Sequence, residues 1–204
     1  MVACNNKETT PKNDANTTTE QNTADTTNNA NNDYVEKYSG FYEDNLGNLS
    51  MYSIYETPET VTEYYKTNKY PGNEKYVEEL KSAYKESRDK IQKFVDSLKN
   101  DAKTEDTKIK DLNEKLIAEG EKTISNIDAR LKNLDNLPKD IYSKSQDDFI
   151  RAVDEATKVK DNTTNDFNNL LDEMNKALGI NPNAMQNPGT MSNTNKNTNT
   201  DTKK

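Results

Sequence analysis

The chain has 204 residues, 30% of them hydrophobic, with 36 acidic against 28 basic side chains, no histidine and one cysteine. A mean hydropathy of -1.21 and a net charge of -8 predict one modest core between ends that bury too little apolar surface to offset their ordering entropy. The acidic balance argues against nucleic acid, which needs a basic footprint, and against electrostatic adsorption to anionic lipid. Without histidine or a second cysteine, the usual zinc ligands, imidazole catalysis and an internal disulfide are missing, so no cofactor, metal or catalytic residue is expected.

In chain order the first feature is Met1-Val2-Ala3-Cys4, followed from Asn5 to Asn32 by a run of mostly Asn and Thr without an aromatic or branched aliphatic residue. The four residues resemble the end of a lipobox, the signal for diacylglyceryl transfer to a cysteine in bacterial lipoproteins; Val2, Ala3 and Cys4 fit that pattern and Met1 is a permissible first position. The resemblance implies a lipid on Cys4, such as palmitate among its acyl chains, and a signal peptide. The apolar stretch of that signal is not in these residues, which implies a cut-back chain or a mis-assigned start. The Asn/Thr run reads as a flexible linker with an r.m.s. span of about 30 Å. Residues 1–32 are thus expected to be a lipobox remnant and a disordered tether.

A helical domain is expected over 33–179. Its first part, 33–72, is rich in tyrosine: eight fall between Tyr34 and Tyr70. Tyr34, Tyr38, Phe41 and Tyr42 recur at helical spacing up to the turn cluster Asn45-Leu46-Gly47-Asn48, and Thr57-Pro58-Glu59 reads as an N-cap with proline at the first helical position. Two readings of the rings stand side by side. Tyr34, Tyr38, Tyr42, Tyr52, Tyr55, Tyr64 and Tyr65 could form a recognition surface, since tyrosine is enriched at interfaces. Equally, a chain poor in aliphatics needs such rings as core.

Three long amphipathic helices follow. Over 73–100, Val77, Leu80, Tyr84, Ser87, Ile91, Phe94 and Leu98 step by three and four, a heptad seam. The polar stretch 100–108 is a hairpin turn or part of a continuous rod. Over 105–135 the seam holds Ile109, Leu112 and Leu116, then shifts to Ile117, Gly120, Ile124, Ile127, Leu131 and Leu134. Gly120 there marks a bend or a close crossing. The third helix, expected over 138–178 and about 60 Å long, carries Phe149, Val153, Ala156, Lys160, Thr163, Phe167, Leu170, Met174 and Ala177. Gly179 and Pro182 end it, and 180–204 is expected to be a disordered tail. The fold class is all-α: an elongated up-down-up three-helix bundle with a Tyr-rich N-terminal subregion and Asn/Thr-rich tails.

The remaining constellations are bland. Glu78-Glu79, Glu119, Glu121 and Asp147-Asp148 lie on helix faces dense in Lys and Glu. The cluster at Asp161 lacks the spacing of a calcium loop. In layout the lipobox remnant, tether and helical body are similar to the helical cell-wall-binding lipoproteins of Firmicutes, the YkyA-like group. That resemblance implies a non-enzymatic binding or structural module anchored outside the membrane of a Gram-positive cell, with a wall polymer or envelope protein as partner. The alternative is a self-associating coiled-coil protein, such as a phage- or plasmid-encoded exclusion lipoprotein.

Overall fold

The computed structural model describes residues 21–159 and 166–181, with side chains from residue 32 onward. Cys4 and the rest of residues 1–20, the Lys160 and Thr163 positions of the third stripe, and residues 182–204 lie outside the described residues. Among the described residues the chain is helical and has no strand, as the periodicity predicts.

Helix α1 spans Gln21–Asn45, so it opens inside the stretch whose composition predicts a tether up to Asn32. Its fixed end is the Tyr34–Tyr38 face, buried against α3. Once such a face is held, extending the helix toward the N-terminus costs little, because elongation is far easier than nucleation. A 3-10 segment, Leu49–Tyr55, follows without burying any residue. Helix α2, Pro58–Thr67, starts as the sequence predicts: the Thr57 side chain accepts from the Thr60 amide, the Thr60 side chain answers the Thr57 amide, and Pro58 takes the first turn.

Helices α3, Asn73–Asn100, and α4, Thr107–Asp135, pair along their length. The connection 101–106 is a turn closed by Asp106, whose carboxylate accepts from the amides of Lys108 and Ile109 at 2.9 and 3.1 Å. Ion pairs reveal the register: Lys81 with Asp135, Arg88 with Asp128, and Lys99 with Glu121. One partner advances along α3 while the other retreats along α4, so the pair is an antiparallel hairpin. Exposed pairs of this kind add little stability; they report the alignment that the apolar seam imposes.

Where the spacing predicts a single helix over 138–178, the chain forms a 3-10 turn, Lys139–Ser143, then α5, Gln146–Thr157, and α6, Phe167–Leu178. Helix α5 ends as Lys158 turns to an extended ψ of 133°. The sequence that follows, Asp161-Asn162-Thr163-Thr164-Asn165, is made of residues whose side chains compete with helical backbone bonds. Gly179, at φ 69°, closes α6 in the left-handed conformation; the Ile180 amide donates to the Asn175 carbonyl, and Ile180 folds back on the core.

The described residues bury two apolar clusters, one at each end of the hairpin. The first joins Tyr34 and Tyr38 of α1 with Phe94, Val95 and Leu98 of α3, Leu112 and Leu116 of α4, and Phe167 and Met174 of α6. The second joins Val61 of α2 with Tyr76, Val77 and Leu80 of α3, Leu134 of α4, and Phe149, Ile150 and Val153 of α5. The seam residues predicted from periodicity are therefore largely buried within a single chain. Gly120 proves to be a close crossing. A Cβ there would stand 2.5 Å from Val95 Cγ2 and 3.2 Å from Phe167 Cε2.

That crowding gives alanine substitutions opposite signs at two helical glycines. Gly120→Ala forces a stiff valine and a buried ring to move, and is expected to destabilise the fold by about 1–3 kcal/mol. Gly40→Ala on α1 meets nothing within 4 Å and is expected to stabilise by about 0.5–1 kcal/mol through helix propensity. Urea midpoints read both, and a Gly120→Ala protein as stable as the parent removes the close crossing.

Candidate functional site

The two clusters do not merge. Between them lies a cleft of about 530 Å³, walled by the 3-10 segment, α3, α4 and the start of α6. Two helical stripes form its facing sides. Tyr84, Ser87 and Ile91 step by three and four along α3; Thr123, Ile127 and Arg130 step by four and three along α4. Antiparallel pairing brings their ends together, and Arg130 Nη1 donates to the Tyr84 hydroxyl at 3.2 Å. Tyr42, Leu46, Leu49, Tyr52 and Tyr55 close one flank, and Phe167, Asn168 and Leu171 the other. The result is an apolar lining studded with a guanidinium and several hydroxyls, the usual make-up of a small-ligand site.

The seven tyrosines singled out in the sequence divide among three environments. Tyr34 and Tyr38 are 1% and 0% exposed, so they are core and offer no recognition surface; their rings stack at 6.3 Å, and Tyr38 meets Phe94 edge-on at 5.9 Å. The physical reason is the shortage of aliphatics, which leaves α1 with little besides tyrosine to bury. Tyr42, Tyr52 and Tyr55 are half-buried and line the cleft. Tyr64 and Tyr65 stand apart, on α2: Tyr64 is exposed, and Tyr65 packs edge-on against Tyr70 at 5.1 Å over the second cluster.

Ser87, Thr123, Ile127 and Arg130 were not among the residues expected to bind. A signal was present: a serine on the apolar seam of one helix, and on the other a stripe flanking an isoleucine with threonine and arginine at four and three residues. Neither motif announces a site until the hairpin register is known.

Hydrogen bonding separates the buried tyrosines. The Tyr34 hydroxyl donates to Asn113 Oδ1 at 2.9 Å, tying α1 to α4. Among the described residues the Tyr38 hydroxyl is buried without a hydrogen-bond partner. Tyr34→Phe is therefore expected to cost about 1–3 kcal/mol by stranding the Asn113 amide oxygen, whereas Tyr38→Phe should be neutral or stabilising. Denaturant titration of the two variants checks this, and equal losses would contradict the assignment.

Burial pushes the phenols of Tyr34, Tyr38 and Tyr76 up in pKa. The hydroxyl of Tyr52 donates to the Glu86 carboxylate, and chiefly for that reason its pKa is pushed up to about 12. Tyr70, raised by burial, also reaches about 12. All these pKa values lie above that of the unfolded chain, near 10. The stability they contribute is complete below about pH 10 and is lost as pH rises through 12, while unfolded tyrosines release protons that folded ones keep. Urea midpoints are expected to fall steeply above about pH 10, by about 1.4 kcal/mol per pH unit for each fully buried phenol; an unchanged midpoint between about pH 10 and 11 would count against the buried array.

Among the described residues no group of three or more His, Cys, Asp or Glu side chains is placed to hold a metal ion. No described helix is long and apolar enough to cross a membrane. No protein-family model, curated protein or solved structure matches the chain.

Proposed function

We propose that the chain is an extracytoplasmic lipoprotein, held at the membrane by a lipid on Cys4, whose helical body is a non-enzymatic binding module of the cell envelope. The observation that carries the binding half is the cleft between the two clusters. Its volume of about 530 Å³ is that of a small-molecule pocket, about 300–1,000 Å³. A ligand of that size, or one segment of a wall polymer, suits it better than the flat face of a protein. Tyr42, Tyr52, Tyr55 and Tyr84 bring rings with polar tips, which suits a ligand that is polar at its edges and flat on its faces.

In this reading the α3–α4 hairpin and the α5–α6 return form an elongated three-helix bundle, with the Tyr-rich segment laid across it. The Asn/Thr-rich stretches before Gln21 and after Asn181 act as disordered tethers, and Cys4 with Val2 and Ala3 supplies the anchor. Stable anchoring takes more than one acyl chain, as a diacylglyceryl cysteine provides. Self-association through the heptad seams is the weaker reading, since those residues are already buried within one chain.

The test has two arms. Expressed from its own gene in a Gram-positive host fed labelled palmitate, the protein is expected to take label and sediment with membranes, and Cys4→Ala to lose both. An unlabelled wild type, or label kept by Cys4→Ala, overturns the anchor. In the second arm, soluble wall fragments are titrated into the purified chain while tyrosine fluorescence is followed. A saturable change abolished by Ser87→Phe, which fills the cleft, is expected; no change, or one indifferent to that substitution, overturns the wall ligand.

A further inference from the structure

We infer that the cleft takes a small ligand bearing an oxyanion, with the charged group on the Arg130 guanidinium and an apolar face against Ile91, Ile127 and Phe167. This rests on the reading of the cleft as a binding site and specifies the chemistry of what enters it.

The chain has three arginines. Arg88 lies 3.2 Å from both Asp89 and Asp128, and Arg151 lies 3.1 Å from Glu59. Arg130 has no carboxylate at ion-pair distance among the described residues, in a chain where acids outnumber bases 36 to 28. It is half-buried, it lines the cleft, and its described bond is the single donation to Tyr84. A guanidinium has five donors in a planar fork that matches carboxylate or phosphate two bonds at a time, and it sheds its hydration more readily than an ammonium. Among the described residues most of that fork is uncommitted. Ser87 brings a hydroxyl to the same space.

The surroundings favour an anion that also has an apolar body. Ile91, Ile127, Phe167 and Leu171 give the cleft an apolar lining that a hydrated inorganic ion would not use. Among the described residues Glu56 is the one carboxylate that lines the cleft, and it is exposed, so water and salt screen its repulsion. Tyr84, the described partner of Arg130, offers it a hydroxyl and no carboxylate.

The experiment uses the purified chain and two fluorescent probes that share a ring framework: 8-anilinonaphthalene-1-sulfonate, which is anionic, and N-phenyl-1-naphthylamine, which is neutral. Both are expected to bind saturably and to be lost in Ser87→Phe. Arg130→Gln should weaken the sulfonate about tenfold or more, the worth of one charged hydrogen bond, and leave the neutral amine unchanged; Arg130→Lys should restore part of the loss. In the wild type alone, salt at about 1 M should weaken the sulfonate selectively, which keeps the test decisive if the Arg130 variants fold poorly. Competition by 1-naphthoate and by 1-naphthyl phosphate then shows which oxyanion is preferred. If neither probe binds, or both survive Ser87→Phe, the cleft is not a site and the binding reading falls with the inference. If both bind in the cleft but the sulfonate ignores Arg130 and salt, the oxyanion is overturned while the cleft stands.

Discussion

Val95 and Phe167 meet above the bare backbone of Gly120, and the rest of the molecule is arranged around that contact. Removing one Cβ lets a β-branched residue from α3 and a ring from α6 occupy the same patch of α4. Phe167 is the first residue of α6, so the contact lies where α6 begins. The ring then meets Phe94 edge-on at 6.3 Å, and Phe94 meets Tyr38 of α1 at 5.9 Å. Four helices are thus linked through one glycine and three rings. Phe167 is also a wall of the cleft, so the packing that closes the first cluster forms one edge of the site.

Tyrosine takes the place that leucine holds in richer sequences. Rings can fill a core volume, but each brings a hydroxyl that must find a partner or bear the desolvation cost. The chain meets this in different ways. Tyr34 reaches Asn113 across 79 positions of sequence. The rings over the second cluster keep their tips near the surface, where Tyr65 reaches Glu79 and Tyr70 reaches Asn73. Among the described residues the Tyr38 hydroxyl finds no hydrogen-bond partner, and the buried Asn175 side chain makes no hydrogen bond of ordinary geometry either. The only easing visible at that spot is the Tyr42 hydroxyl, which lies close enough to the Asn175 amide for the amide to offset part of the upward shift that burial imposes on it.

Periodicity made α3 and α4 legible, because a regular apolar stripe runs along each, and Thr57-Pro58 marked the start of α2. The third stripe misled over 138–178. A spacing of three and four runs on without a break on paper, yet spacing carries no information about where a helix stops, and α5 ends as Lys158 turns to an extended ψ of 133°. The tyrosines were ambiguous for a different reason. Composition shows that rings are needed as core and that rings suit interfaces, but only the docking of α1 on α3 separates Tyr34 and Tyr38 from Tyr42. The cleft residues were the least legible, since Tyr84 and Arg130 are 46 positions apart and meet only through the hairpin register.

Why the two clusters stay apart follows from the same register. At mid-hairpin both seams change character together: α3 offers Tyr84 and Ser87 where leucines would lock, and α4 offers Thr123 and Arg130 on either side of Ile127. Above this gap α5 has ended at Thr157 and α6 begins at Phe167, and the 3-10 segment that crosses it is half-buried at most. An apolar residue at each of these positions would extend one core through the whole hairpin and add stability, as filling a cavity commonly does. Folding alone gives no reason to keep a half-buried arginine beside an unfilled space, and natural sequences break consistent packing chiefly where a site needs it. The gap between the clusters, more than the tyrosines themselves, is where this fold forgoes the stability that a continuous core would add.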